Sequence, residues 1–122
     1  MSAAYDYLVT LRDALSVIDG VKSCKIGIER GIGSKDAPFV RVVPVSVSPD
    51  GNSSKMRVQV VFGFDSKNRD YEELHRQYFD MADSIIDIAH ENYAEWQQTV
   101  TDEDTVQNLK TAVIEFMVEE CS

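Results

Sequence analysis

A chain of 122 residues is long enough for one domain, and at that size folding buries roughly two-thirds of the unfolded surface, so a packed core is expected without cross-links. Apolar residues at 43% and charged residues at 27% exclude a disordered or fibrous chain. Twenty-one acidic residues against 12 basic ones give a net charge of -9, which excludes attraction to nucleic acid phosphates or to an anionic membrane as the main activity.

Leu8, Leu11, Leu15 and Ile18 recur at spacings of three and four, which predicts a first helix over about residues 3–18, ended by Asp19-Gly20. Cys24, Ile26 and Ile28 then alternate with Lys25, Gly27 and Glu29, the pattern of a half-buried strand over 23–29. The glycine-rich stretch from Arg30 to Pro38 predicts a flexible connection. Phe39 to Val47 is rich in β-branched residues and predicts a second strand, in which Pro44 marks an edge, a bulge or an irregular exit because it has no amide to donate. Residues 48–54, Ser-Pro-Asp-Gly-Asn-Ser-Ser, are the strongest turn signal in the chain.

Met56 to Phe64 places Val58, Val60, Phe62 and Phe64 on one face and predicts a third strand, paired with the second as a long hairpin. Asp65-Ser66-Lys67-Asn68 offers capping side chains for a second helix. Its stripe runs through Tyr71, Leu74, Tyr78, Met81, Ile85 and Ile88 to about residue 91. The polar stretch Gln97-Gln98-Thr99 and the acidic run Asp102-Glu103-Asp104 make 92–108 a surface loop, with Trp96 as its anchor. Leu109 to Val118 alternates Ala112, Ile114, Phe116 and Val118 inward and closes the chain as a strand. The fold class is α+β: a single domain over 1–122, with two helices on one face of a four-stranded, mainly antiparallel sheet in the order α-β-β-β-α-β.

Chemistry-bearing motifs are few. Gly31-Ile32-Gly33-Ser34-Lys35 lacks the Gly-Lys-Ser/Thr ending of a phosphate loop and leads into a strand. His75 and His90 lie fifteen residues apart on one helix, so they cannot share a metal. Cys24 and Cys121 form no CxxC pair, which argues against zinc; isolated thiols suit a reducing compartment, although a disulfide between them stays open. Glu72-Glu73 and Glu119-Glu120 are adjacent pairs that point different ways, as solvated surface does. Tyr71, Tyr78 and Phe79 read as a core seam before a recognition stripe. The start MSAAYDYLVTLRDAL lacks a secretory pattern, and no run approaches the ~20 apolar residues of a membrane span. Neither catalysis nor a cofactor or metal is expected, and the chain reads as cytoplasmic, working through edges and loops.

The whole order resembles the tail terminator and minor tail proteins of long-tailed bacteriophages. The resemblance lies in the N-terminal helix from Tyr5 to Ile18, the strand entry Ala37-Pro38-Phe39-Val40-Arg41-Val42, the strand from Arg57 to Phe64, the long amphipathic helix and the closing strand from Thr111 to Phe116. It covers nearly the full chain as a pattern of order and length, without an invariant motif. It implies a subunit that assembles as a ring, usually a hexamer, on the end of the tail tube, stops tube polymerisation and prepares head joining. The partners it implies are further copies of the chain, the tail tube protein and a head-completion protein, in the virion tail after assembly in the host cytoplasm. DNA would pass without specific binding.

In that setting Arg30, Lys35 and Asp36 in the first loop, and Asp50, Asn52 and Lys55 at the hairpin, are the expected subunit contacts. Asp102, Glu103, Asp104, Glu115 and Glu119 are the candidate lining of an acidic channel that repels passing DNA, or a partner surface. Two other readings share the sequence: a head-tail connector or neck completion protein, and a small acidic inhibitor or immunity-type module that captures a basic enzyme.

Overall fold

A computed structural model of the chain describes residues 3–50, 53–67, 69–101 and 109–120. The first helix, α1, spans Ala3–Leu15 and buries Leu8, Leu11 and Leu15. It stops short of the expected residue 18 because Ser16 turns its hydroxyl onto the Asp13 carbonyl at 2.7 Å and the backbone tightens, Ile18 donating to Leu15. Ile18 still packs against the core. Gly20, at φ +88, supplies the left-handed residue that turns the chain toward the sheet.

Among the described residues five strands form the sheet: β1 (Ser23–Ile26), β2 (Phe39–Asp50), β3 (Ser53–Asp65), β4 (Ala94–Thr101) and β5 (Leu109–Glu120), in the spatial order β1-β2-β3-β5-β4. The α+β class and the two helices are as the sequence reads. The strand count and the pairing are not. β4 occupies the stretch expected to be a surface loop: it is an edge strand, and a register shift between Trp96 and Gln98 breaks the alternation that would have marked it. β1 runs parallel to β2, because the long connection between Ile26 and Phe39 crosses over rather than turning back. Gly27, at φ +83, ends β1 three residues before the expected limit.

β2 and β3 pair from Phe39↔Gly63 to Asp50↔Ser53, with a register shift between Pro44 and Ser46 where the proline predicts an irregularity. Pro49 lies within the strand, so the turn is shorter than the predicted span 48–54; Gly51 and Asn52 lie outside the described residues. The second helix, α2, spans Tyr71–Glu91. Asp70 caps it, accepting from the Glu72 amide at 3.1 Å, in place of the expected side chains at 65–68.

One core joins both helices to one face of the sheet. Val40 and Val42 of β2, Val58, Val60 and Phe62 of β3 and Ile114 and Phe116 of β5 meet Leu11 and Leu15 of α1 and Leu74, Tyr78 and Ile85 of α2. α1 packs on β1 and β2, while α2 packs on β4 and touches α1. Tyr7 donates from its hydroxyl to the Asn92 carbonyl at 2.7 Å, joining α1 to the end of α2. The predicted stripe on α2 holds from Leu74 to Ile85, but Tyr71 and Phe79 are exposed, so the aromatic trio is not a core seam.

Candidate assembly surfaces

Among the described residues no helix lies on the second face of the sheet. Arg41, Val61, Val113 and Val100 stand in register across β2, β3, β5 and β4, followed by the row Val43, Gln59, Glu115 and Gln98. At the β1 end this face is covered by the crossing loop, and the cover has a specific latch. Arg41 donates from Nε to Glu29 Oε1 at 2.7 Å and from Nη2 to Oε2 at 3.2 Å, while Nη1 reaches the carbonyls of Ser23 and Val40 at 3.1 and 2.9 Å. Its guanidinium also lies 5.4 Å from the centroid of the buried Phe39 ring. Glu29 is held well below the usual carboxylate range, at about 2, first by the hydrogen bonds from Arg41. Lys25 adds a second cation 3.6 Å from Glu29.

The loop expected to be a flexible connection is thus fastened. Lys22 Nζ donates to the Lys35 carbonyl at 2.6 Å, and the Gly33 amide donates to Asp36 Oδ2 at 3.0 Å across a single 3-10 turn, Ser34–Asp36. Asp36 is consumed inside that turn, whereas Arg30 and Lys35 are exposed. The sequence marks Arg41 only indirectly, as a charged residue on the same face as Phe39 and Val43.

Beyond Val42, β1 no longer reaches β2, and among the described residues no strand covers the outer edge of β2 from Val43 to Asp50. Val45 and Val47 there are 52% and 55% exposed. Lys55 lies two register pairs from this hairpin's described end, with Nζ 3.7 Å from Glu119 of β5. Asp50 closes β2 in register with Ser53. Its side chain and the whole of Asn52 lie outside the described residues.

Glu115 and Glu119 are four apart on β5 and share the uncovered face. Glu115 accepts from Gln98 at 2.8 Å and from Gln59 at 3.1 Å, and these hydrogen bonds, Gln98 first, keep its carboxyl below the ordinary value. Asp102, Glu103 and Asp104, the rest of the expected acidic lining, lie outside the described residues, as does Cys121. Cys24 is half-buried, its Sγ 3.5 Å from the Arg12 carbonyl, and burial pushes its thiol up to about 11.

The opposite edge belongs to β4, whose free side carries Trp96, 47% exposed. Trp96 Nε1 donates to Thr99 Oγ1 at 3.0 Å, so it borders the strand and does not anchor a loop. Beside α1, residues Gln77, Asp80 and Ser84 of α2 line an open hollow of about 430 Å³ with Ile18, Asp19 and Arg69. Arg69 donates to Gln77 within it. His75 and His90 are at the surface, His75 donating from Nδ1 to the Tyr71 carbonyl at 2.7 Å.

Among the described residues no group of three or more His, Cys, Asp or Glu is placed to hold a metal ion, and no helix is long and apolar enough to cross a membrane. What the arrangement offers is two unlike open edges, an uncovered half of a sheet face and a latched loop. Neither the models of known protein families nor the curated proteins include a match to this sequence.

Proposed function

We propose that the chain is a non-enzymatic structural protein of a phage or prophage tail, assembling as a ring on the end of the tail tube, stopping tube growth and preparing head joining. The observation that supports this reading best is the pair of unlike open edges. One copy exposes the outer edge of β2 at one side of the sheet and β4 at the other. A surface that differs at its two ends associates head to tail, and head-to-tail contacts close into rings when the rotation between copies permits. The β2–β3 hairpin, running past the reach of β1, provides a second element able to touch a neighbour or the tube.

Electron microscopy of virions lacking the protein tests the role. Tails of uncontrolled length, or tails unable to join heads, are the expected result, and normal particles would refute it. The exposed acidic side chains of α2, Glu72, Asp80, Asp83 and Asp87, favour one second reading, capture of a basic partner protein. Stoichiometric one-to-one capture by a monomer, with no ring on the tube, would select that reading instead.

A further inference from the structure

The two flanks of the molecule differ in charge as well as in shape. Residues 21–42, which contain β1 and the latched loop, hold five basic residues against two acidic ones. Both acids are already engaged, Glu29 by Arg41 and Lys25, Asp36 by the Gly33 amide, so Lys22, Arg30 and Lys35 dominate that exposed surface. Residues 71–101, which contain α2 and β4, hold seven acidic residues against one basic one. The net charge of the chain therefore hides a basic end and an acidic end.

Which side of α2 belongs to the acidic end follows from the helix geometry. Gln77 and Ser84 face α1, since they line the hollow with Ile18, and Leu74, Tyr78 and Ile85 face the sheet. At 100° per residue the side turned away from α1 then carries Phe79 and Ile86, bordered by Glu72 and Asp83, with Arg76 beyond Asp83 already paired to Glu73 at 2.6 Å. Phe79 is 60% exposed there, although an aromatic ring is ordinarily among the first side chains to be buried. α2 lies over β4, so this side borders the strand edge that exposes Trp96, which its register with Phe116 puts on the helix-bearing face, while Glu95, in register with Met117, belongs to the opposite face.

We infer that a second copy of this chain docks its basic β1 flank, Lys22, Arg30 and Lys35, onto the α2–β4 flank, where Phe79 and Trp96 form an apolar centre bordered by Glu72 and Asp83. The inference deepens the ring reading above and rests on it. Charge complementarity selects the occupant: the chain's own basic flank answers an acidic border, and opposite signs at the two ends make head-to-head contact repulsive. The apolar centre supplies the desolvated part of the contact and the charges its register.

Sedimentation velocity at low ionic strength, up to ~1 mM protein, reads even the weakest specific association. The wild-type mass is expected to rise with concentration and to fall back as salt screens the flanks. Arg30→Glu with Lys35→Glu, and separately Glu72→Lys with Asp83→Lys, are each expected to lower the association constant by ~100-fold or more, the scale of like charges brought together in a contact. Mixed one to one, the two variants offer each other one native and one charge-swapped contact, both complementary, so the mixture should recover the growth with concentration that neither variant shows alone. The four substitutions in one chain should restore association.

Circular dichroism and the urea midpoint verify that each variant is folded; all four positions are exposed. A wild type that remains monomeric throughout, variants that associate like wild type, or a mixture that stays monomeric would each overturn the inference. Failure here with tail defects in virions lacking the protein would leave the tail role standing and remove this contact. Self-association with normal virions would do the reverse.

Discussion

A guanidinium at 1% exposure persists only where its charge and its donors are answered, and Arg41 is answered by one carboxylate and two carbonyls. The dependence is asymmetric. Removing the carboxylate strands a buried cation, whereas removing the cation frees the partly exposed Glu29 to turn to water. Glu29→Gln should therefore lower the urea midpoint more than the shape-conserving Arg41→Met, and the reverse ranking would contradict the latch. The pH dependence has a definite sign. The folded state depresses Glu29 from its ordinary 4.5 to about 2, so this stabilisation is complete above 4.5 and is lost as pH falls through about 2. Urea midpoints followed from pH 5 downward should show a loss that Glu29→Gln reduces, Glu115 contributing to what remains. Gly63 is a second sensitive position: a Cβ there would lie 2.6 Å from Phe39 Cζ and 3.3 Å from the Lys110 carbonyl. Phe39 is buried, so Gly63→Ala should destabilise by ~1–3 kcal/mol, the range for forcing extra carbon into a packed site.

At the level of elements, α2 depends on its ends as well as its stripe. Asp70→Ala removes the acceptor for the Glu72 amide and should cost about 1 kcal/mol by chemical denaturation, while Asp70→Asn should largely preserve the cap. The elements that the sequence reveals are those with one face against the core, where burial enforces the period: Val58, Val60 and Phe62 in β3, Ile114 and Phe116 in β5, Leu74, Tyr78 and Ile85 in α2. β4 escapes notice because an edge strand buries little. Ala94 is buried, but the residues after it face water and the shift at Trp96 and Gln98 scrambles the alternation. Phe79 is misread from sequence as part of a core seam, although it falls off the spacing that unites Leu74, Tyr78 and Ile85. The latch was not legible, because the pairing of Glu29 with Arg41 needs the crossing of the loop over β2, and the parallel course of β1 is a tertiary fact with no local signature. Of the candidate contacts, Arg30 and Lys35 are presented at the surface while Asp36 is turned inward to its own loop.

For the molecule as a whole, the sheet's centre carries the stability. Ile114 is fully buried between β3 and β4, so Ile114→Ala should cost ~2–5 kcal/mol in urea unfolding, far more than any substitution on the exposed flanks. The same strand order has a kinetic side. β5 follows every other strand in the chain yet lies between β3 and β4, and its first residue, Leu109, pairs with Asp65, which closes a long stretch of intervening chain. Until that closure, the inner border of β3 has no neighbour and β4 has nothing to join, so neither the central seam nor the far border can form piecemeal. Refolding should then be limited by a single long-range encounter, with Ile114→Ala slowing refolding as well as hastening unfolding. A half-made sheet would present β3 as a sticky border to any other chain nearby, and dilute refolding should give the higher yield.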